Sequence, residues 1–282
     1  MTATVSVRRG APAGQGGLRQ AVSDGLLITW RNLKRIPRIP ELAIFAILQS
    51  IMFVLLFAFV FGGAIVIPGY TDPSAYREFL MPGIFAQTIV FASATTAIGM
   101  TADVSQGIMD RFRSLPMARS AVLTGRALSD IVYNAGILAV LIVTGFAVGW
   151  TVHTGITSLF AGIALLLLFV FAMSWLGIWM GLHVPTVEVA QQVIFTVLFP
   201  LTFISNVFVP PQTLPSWLQP VAEWNPTSTL TAALRELWGN PNPFPSTSFP
   251  GQEPVLVTLA WVVVITAIFG PLGVRRYRSI SR

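Results

Sequence analysis

Few residues in this chain of 282 are of the types that carry catalytic chemistry. The chain contains no cysteine, which excludes disulfides, thiolate catalysis and zinc bound by cysteine. Its two histidines, His153 and His183, fall in different predicted loops on opposite sides of the molecule. We therefore expect them to form neither a shared metal site nor a proton relay.

The single lysine, Lys34, follows a leucine and precedes an arginine. A nucleotide-binding P-loop instead needs Gly-Lys followed by Ser or Thr, because the lysine must reach the phosphates and the hydroxyl must bind Mg²⁺. We expect no catalytic site and no bound cofactor or metal in this chain. Any ATP and Mg²⁺ that drive it would be bound by a separate subunit.

Uncharged polar side chains within long apolar segments are the remaining groups with recognisable chemistry. Such groups can line a pathway for an amphipathic molecule, or they can hydrogen-bond one helix to another. Both alternatives stay open for the candidate pathway residues, which are Gln49, Gln87, Thr95, Asn134, Gln191 and Asn206.

The acidic residues nearest to these segments are Asp103, Asp130 and Glu188, and we expect all three at helix ends. An ion-coupled or proton-coupled carrier needs an ionisable group deep within a span, so this placement argues against such a mechanism. Arg126 and Asp130 are four residues apart on a predicted helix, and we expect them to pair locally.

The composition indicates that most of the surface faces lipid. Hydrophobic residues make up 54% of the chain and charged residues only 10%, whereas soluble domains carry roughly 25% charged residues. The net charge of +6 is divided among segments between apolar stretches, so we expect no nucleic acid partner.

Charge-free stretches predict an all-α membrane protein with six transmembrane helices. A span needs about 20 mostly apolar residues to cross about 30 Å of hydrocarbon. The stretch 131–187 is too long for one crossing, and the polar and glycine residues at 151–155 divide it. We place the spans near 42–63, 80–102, 128–150, 157–181, 188–208 and 255–273.

The basic residues orient these spans. All but two of the 17 lysines and arginines lie before the first span, between the second and third, or after the last. An even number of spans places these three segments on one side, which the positive-inside rule makes cytoplasmic. Both termini are then cytoplasmic, and the two exceptions, Arg77 and Arg235, lie on the other side.

The segments outside the spans divide the chain further. Residues 1–17 are rich in Ala, Gly and Pro, and we expect them to be disordered. In the range 18–38, apolar residues recur every three or four positions beside basic ones, which predicts an amphipathic helix at the membrane surface. The transmembrane domain then covers 41–273, and a basic cytoplasmic tail covers 274–282.

Two loops of the transmembrane domain have distinctive sequences. In the cytoplasmic loop 103–126, an apolar helical face and a charged edge suit docking to a soluble partner, although ordinary helix packing explains the pattern equally well. The extracytoplasmic loop 209–253 is rich in proline and tryptophan. We interpret it as a lid with short helices, because tryptophan favours the membrane boundary.

Three stretches are specific enough to compare with known families. They are 107–119 (GIMDRFRSLPMAR), 198–210 (LFPLTFISNVFVP) continuing to 214–218 (LPSWL), and Asn225-Pro226 with 233–235 (ALR). Together with the six-span plan, they resemble the type-2 ABC exporter permeases, specifically the daunorubicin-resistance permease group.

The resemblance implies a permease subunit of an ATP-driven exporter that moves a hydrophobic or amphipathic drug or lipid out of the cell. It implies a second permease chain, identical or different, and separate ABC ATPase subunits. The amphipathic helix would be the elbow helix of the family, and the 103–126 loop would contain the coupling helix that contacts the ATPase. Family members usually carry glutamate where Asp110 stands. The coupling residues would be Val104, Ile108, Asp110, Arg111, Phe112, Arg113 and Leu115.

Other functions stay open at this point. The permease of an ABC exporter for an envelope polysaccharide or glycolipid would be favoured by a wide, aromatic-lined lumen between chains. A stand-alone ion-coupled carrier would require a charged residue deep in a span. A membrane-anchored scaffold or sensor would have no neighbouring reading frame that encodes a P-loop.

Overall fold

The computed structural model describes residues 18–35, 40–61, 73–109, 119–208, 211–242 and 247–279. Within these ranges every long element is a helix and no strand occurs, which confirms the predicted all-α class. The helices are α1 (Leu18–Arg35), α2 (Pro40–Leu55) with a π-helical continuation (Leu56–Phe61), α3 (Pro73–Ser105), α4 (Arg119–Ala147), α5 (Ile156–Gly181), α6 (Val187–Phe203), a 3-10 turn (Pro211–Thr213), α7 (Gln219–Trp224), α8 (Pro226–Trp238), α9 (Phe249–Gln252) and α10 (Pro254–Ser279).

Four of these helices, α3, α4, α5 and α10, are long and apolar enough to cross a membrane. Their apolar windows coincide with four of the six predicted spans. The predicted spans near 42–63 and 188–208 coincide with shorter apolar helices, over Ile47–Val60 and Val187–Phe203. The predicted break after α4 is confirmed, because α4 ends at Ala147 and α5 begins at Ile156.

Two helix bounds differ from the prediction. Helix α4 begins at Arg119 instead of near 128, because Arg126 pairs with acidic residues of the bundle and does not have to mark the end of a helix. Helix α6 ends at Phe203 instead of near 208. There Ser205 accepts a hydrogen bond from the Val207 N–H (3.4 Å), a local bond that competes with continued helix.

Gly107 interrupts the helix that periodicity predicts between Val104 and Leu115. Helix α3 ends at Ser105, Gly107 adopts a φ of 67°, and its N–H donates to the Val104 carbonyl (3.1 Å). Glycine in this left-handed conformation commonly ends a helix. Residues 110–118 of the predicted coupling segment lie outside the described residues, as do the predicted tail 1–17 and residues 36–39.

Helices α3 and α5 pack closely because small residues face each other. On α5, a Cβ added to Gly177 would lie 2.5 Å from the Ser93 carbonyl oxygen, and one added to Gly181 would lie 2.5 Å from that of Ala97. Glycines four residues apart allow helix backbones to approach in this way within membranes. The contact fixes α3 in the centre of the bundle.

Helix α1 combines an exposed apolar stripe with a face packed on α4. Leu26 and Trp30, two of the apolar residues that recur at helical spacing, are more than half exposed, whereas Ile28 and Thr29 are buried. The Thr29 hydroxyl donates to the Gly125 carbonyl (3.1 Å). The stripe is therefore free to meet lipid while the opposite side anchors α1 to the bundle.

The long helices define two ends of the bundle. We call the end where α3 and α5 finish and α4 begins the basic end, because α1, Arg126 and the arginines of α10 lie there. We call the opposite end, where α4 finishes and α7, α8 and α9 lie, the loop end. Helix α8 packs against α3, α5 and α10, and most of its residues are buried.

Candidate functional site

A cavity of about 490 Å³ lies among α2, its π-helical continuation, α3, α4 and α6. Drug-sized ligands occupy cavities of roughly 300–1,000 Å³. The cavity opens partly to the surface, and its walls are mostly apolar. The described residues that line it include no Asp, Glu, Lys or Arg.

Aromatic side chains dominate the walls of this cavity. Helix α6 contributes three phenylalanines at a spacing of four residues, which places them on one helical face. The spacing of these phenylalanines is visible in the sequence. The prediction of a substrate pathway did not include them, because it considered only polar side chains. The aromatic lining residues are Phe53, Phe57, Phe91, Tyr133, Phe195, Phe199, Phe203 and Phe208.

Four of the six candidate pathway residues line the cavity, namely Gln49, Gln87, Thr95 and Asn134. Gln191 does not; it is exposed on α6. Asn206 follows α6 and lines a separate pocket of about 30 Å³ near α8. The backbone N–H of Asn206 donates to the Ser228 hydroxyl (3.0 Å), so this residue joins the end of α6 to α8.

An ion-pair network lies towards the basic end of the bundle. Arg126 on α4 approaches Asp103 of α3 (3.5 Å) and Asp130 of α4 (3.4 Å), which confirms the predicted pair between Arg126 and Asp130. The Thr96 hydroxyl donates to Asp130 (2.7 Å), and Ser174 of α5 hydrogen-bonds the same carboxylate. The network therefore joins three of the four long apolar helices.

The prediction that Asp130 lies at a helix end is wrong. Because α4 begins at Arg119, Asp130 lies about 16 Å along the helix axis from its start. Its side chain is only 14% exposed, so its charge is stabilised by Arg126 and by hydroxyl donors instead of water. Asp103 in the last turn of α3 and Glu188 in the first turn of α6 do lie at helix ends.

The network leads directly into the segment predicted to contact a partner. Asp103 immediately precedes Val104, which like Ile108 is half-buried. Met109 is buried in a cluster with Leu123 of α4 and Ile178 of α5. The start of this segment is thus held against the bundle, whereas Asp110, Arg111, Phe112, Arg113 and Leu115 lie outside the described residues.

The two cations that depart from the charge pattern act as internal hydrogen-bond donors at the loop end. Arg77 donates to the Val148 carbonyl (2.7 Å). Arg235 is 1% exposed and donates to the carbonyls of Phe79 (3.0 Å) and Asn206 (3.2 Å), with its guanidinium 3.8 Å from the Phe79 ring centroid. Burial lowers the pKa of Arg235 to about 9, which leaves it protonated at neutral pH.

The two histidines lie at opposite ends of α5. His153 contacts Glu78 (Nε2 to Oε2, 3.0 Å) at the loop end, and His183 Nδ1 donates to the Trp179 carbonyl (2.8 Å) at the basic end. No group of three or more His, Asp or Glu residues able to hold a metal occurs in the part of the chain that the structure describes.

Comparison with known proteins agrees with this arrangement. The ABC-2 type transporter family matches residues 25–237 of the chain. The sequence is 31% identical over 259 residues to the daunorubicin resistance ABC transporter permease protein DrrB1 of Streptomyces coeruleorubidus, which covers 92% of this chain and 87% of that protein. It is 26% identical over 268 residues to a Mycobacterium tuberculosis protein named probable doxorubicin resistance ABC transporter permease protein DrrC, covering 94% of this chain and 93% of that protein.

These matches confirm the resemblance that was read from residues 107–119 and 198–210. The family match runs from within α1 into the last turn of α8 and so includes the cavity and the ion-pair network. Together with the long apolar helices, it shows that this chain is a multi-pass membrane protein belonging to the ABC-2 type transporter family.

Proposed function

We propose that this chain is the permease subunit of an ABC exporter and that it moves a hydrophobic or amphipathic drug or lipid out of the cell. The observation that carries the proposal is the aromatic cavity of about 490 Å³, formed by four apolar helices of an ABC-2 family member. Because the sequence contains no P-loop lysine, the energy comes from ATP and Mg²⁺ bound by a separate ATPase subunit. The names of the daunorubicin and doxorubicin resistance relatives support a drug-like substrate.

The drug or lipid substrate is favoured over an envelope polysaccharide by the chemistry of the cavity. A polysaccharide exporter would have a wide lumen between chains, whereas this aromatic cavity is mostly apolar, drug-sized and lies within a single chain. A stand-alone ion-coupled carrier is less well supported, because the buried Asp130 is already paired with Arg126 and hydrogen-bonded by Thr96.

The complex contains two permease chains and two ATPase subunits in this proposal. Helix α6 presents exposed valines on the surface of the single chain, at Val189, Val193 and Val197. A second permease chain, identical or different, covers part of this apolar surface, and membrane lipid covers the rest. The segment from Val104 to Leu115 contacts the ATPase at the basic end.

Reconstitution with the ATPase tests the proposed function. This chain, tagged and co-expressed with the untagged proteins of neighbouring genes, is expected to purify as a complex whose mass corresponds to two permease chains and two ATPase subunits. Planar aromatic amphiphiles are expected to stimulate its ATPase activity. Purification of this chain without any ATPase, or solute transport by the lone chain on an ion gradient, would refute the proposal.

The proposed topology has six spans with both termini in the cytoplasm. Helix α6 has 17 residues and is therefore about 26 Å long, which is near the lower limit for a span and requires slight local thinning of the bilayer. The internal roles of Arg77 and Arg235 support this orientation, since neither of these exceptional cations is a free charge on the outer side.

Cysteine labelling tests this topology, because the natural chain is free of cysteine. In intact cells a membrane-impermeant maleimide is expected to label the variant Thr247→Cys, at the exposed loop end, and to leave Gln106→Cys, at the exposed basic end, unlabelled. Permeabilisation should make both sites reactive. Labelling of Gln106→Cys alone in intact cells would reverse the orientation.

A further inference from the structure

We propose that the cavity selects uncharged aromatic ligands that carry a hydrogen-bond donor, and that the Gln87 side-chain oxygen is the acceptor of this hydrogen bond. The inference depends on the proposed function only for the identification of the cavity ligand with the transported substrate. Binding to the cavity itself is a property of this chain alone.

Gln87 provides the first observation. The residue lies on α3 and is 7% exposed, and its Oε1 atom has no hydrogen-bond partner among the described residues. Among the described residues that line the cavity, Gln87 alone has a buried side-chain polar atom without a hydrogen-bond partner. A buried amide carbonyl without a partner is unfavourable, and it carries two lone pairs to which a ligand can donate.

Three further polar side chains of the cavity provide the second observation. The hydroxyls of Thr88 and Thr95 donate to the carbonyls of Ile84 and Ala92 (2.8 Å each). The Asn134 amide likewise donates to the Asp130 carbonyl (2.8 Å). The single hydroxyl hydrogens of Thr88 and Thr95 and one of the two amide hydrogens of Asn134 are thus used within the helices. The two hydroxyls therefore offer a ligand only lone pairs, which a ligand that supplies a donor complements.

The walls determine what the rest of the ligand must be. Among the described residues, no ionised side chain lines the cavity to pair with a charged ligand, and an isolated charge is costly to bury. Phenylalanine rings instead favour offset or edge-to-face contacts with another aromatic ring. The phenylalanines of α2 and α6 therefore suit a flat aromatic body, while Gln87 lies on the buried helix α3 between them.

A matched pair of ligands tests the inference in the full-length chain, purified in lipid nanodiscs without ATPase. The probes are 9-phenanthrol and 9-methoxyphenanthrene, which share one ring system and differ in the presence of the donor. Binding is measured by fluorescence titration and corrected with empty nanodiscs, because both probes also partition into lipid. We expect the phenol to bind about 3- to 10-fold more tightly than the ether, as one neutral hydrogen bond provides.

Variants locate the source of this preference. Gln87→Leu and the nearly isosteric Gln87→Met should bring the two affinities to a ratio of about one, because an apolar side chain removes the acceptor. The control Gln191→Leu changes a glutamine that is exposed on α6 outside the cavity, and it should retain the wild-type ratio.

Two results would overturn the inference. One is equal affinity of the wild-type chain for phenol and ether, which needs no variant to be informative. The other is a retained preference for the phenol in either Gln87 variant. Since no ATPase takes part, loss of ATP-driven export in a separate assay would count against the proposed function and leave this inference standing.

Discussion

Exchanging Arg111 and Arg113 together for glutamate is expected to abolish ATP-driven export while leaving the chain inserted in the membrane. The double exchange replaces two positive charges with two negative ones in the segment that follows Met109. Truncating one partner of a charge pair buried at an interface costs about 2–5 kcal/mol, and juxtaposed like charges cost a similar amount. Substrate-stimulated ATPase activity should therefore fall by at least about tenfold.

A series of contacts connects the start of this segment to the cavity. Met109 is buried among side chains of α4 and α5, so the start of the segment cannot move independently of these helices. Asp103, six residues earlier, contacts Arg126 (3.5 Å). Arg126 in turn pairs with Asp130, whose backbone carbonyl accepts a hydrogen bond from the cavity residue Asn134.

A matched double variant controls for the general effect of charge. Arg275→Glu with Arg278→Glu makes the same change at two exposed positions near the end of α10, also at the basic end. It should leave the chain inserted in the membrane, as the test variant does, yet retain substrate-stimulated ATPase activity. Equal ATPase activity and export in the two double variants would contradict the role of Arg111 and Arg113.

The helices were predictable because lipid imposes a simple requirement on sequence. A charge-free run of about 20 residues has few other stable structures, so the four long apolar helices and the two shorter ones among the described residues coincide with predicted spans. Bounds that depend on tertiary contacts were less accurate. The predicted start of α4 was too late because Arg126 was treated as a loop residue, whereas Asp103 and Asp130 neutralise it inside the bundle.

Of the residues that line the cavity, only polar ones could be predicted from the sequence. Gln49, Gln87, Thr95 and Asn134 are unusual residues in apolar segments, and all four line the cavity. The phenylalanines around them have the same sequence signature as lipid-facing ones. Packing between helices decides which apolar face of α6 contacts α3 and which faces outward. The spacing of apolar residues in the sequence does not indicate this choice.

Loss of Arg126 is expected to destabilise the bundle. Arg126→Leu leaves the carboxylates of Asp103 and Asp130 without this cation in a setting where their side chains are only 12% and 14% exposed. Breaking a buried ion pair from one side costs about 3–5 kcal/mol, and partial exposure reduces this to about 2–3 kcal/mol. The midpoint of thermal unfolding in detergent should fall by roughly 5–10 °C.

A pair of glycine variants separates the geometry of this network from its charge. The Arg126 guanidinium lies directly against Gly99 of α3, where an added Cβ would overlap with Nη2. Gly99→Ala should therefore displace the guanidinium and lower the unfolding midpoint even though every charge remains. At Gly136 of α4 an added Cβ meets no atom within 4 Å, so Gly136→Ala should be neutral or stabilising through its higher helix propensity. If the two glycine variants unfold at the same temperature, the fit of Arg126 against α3 does not contribute to stability.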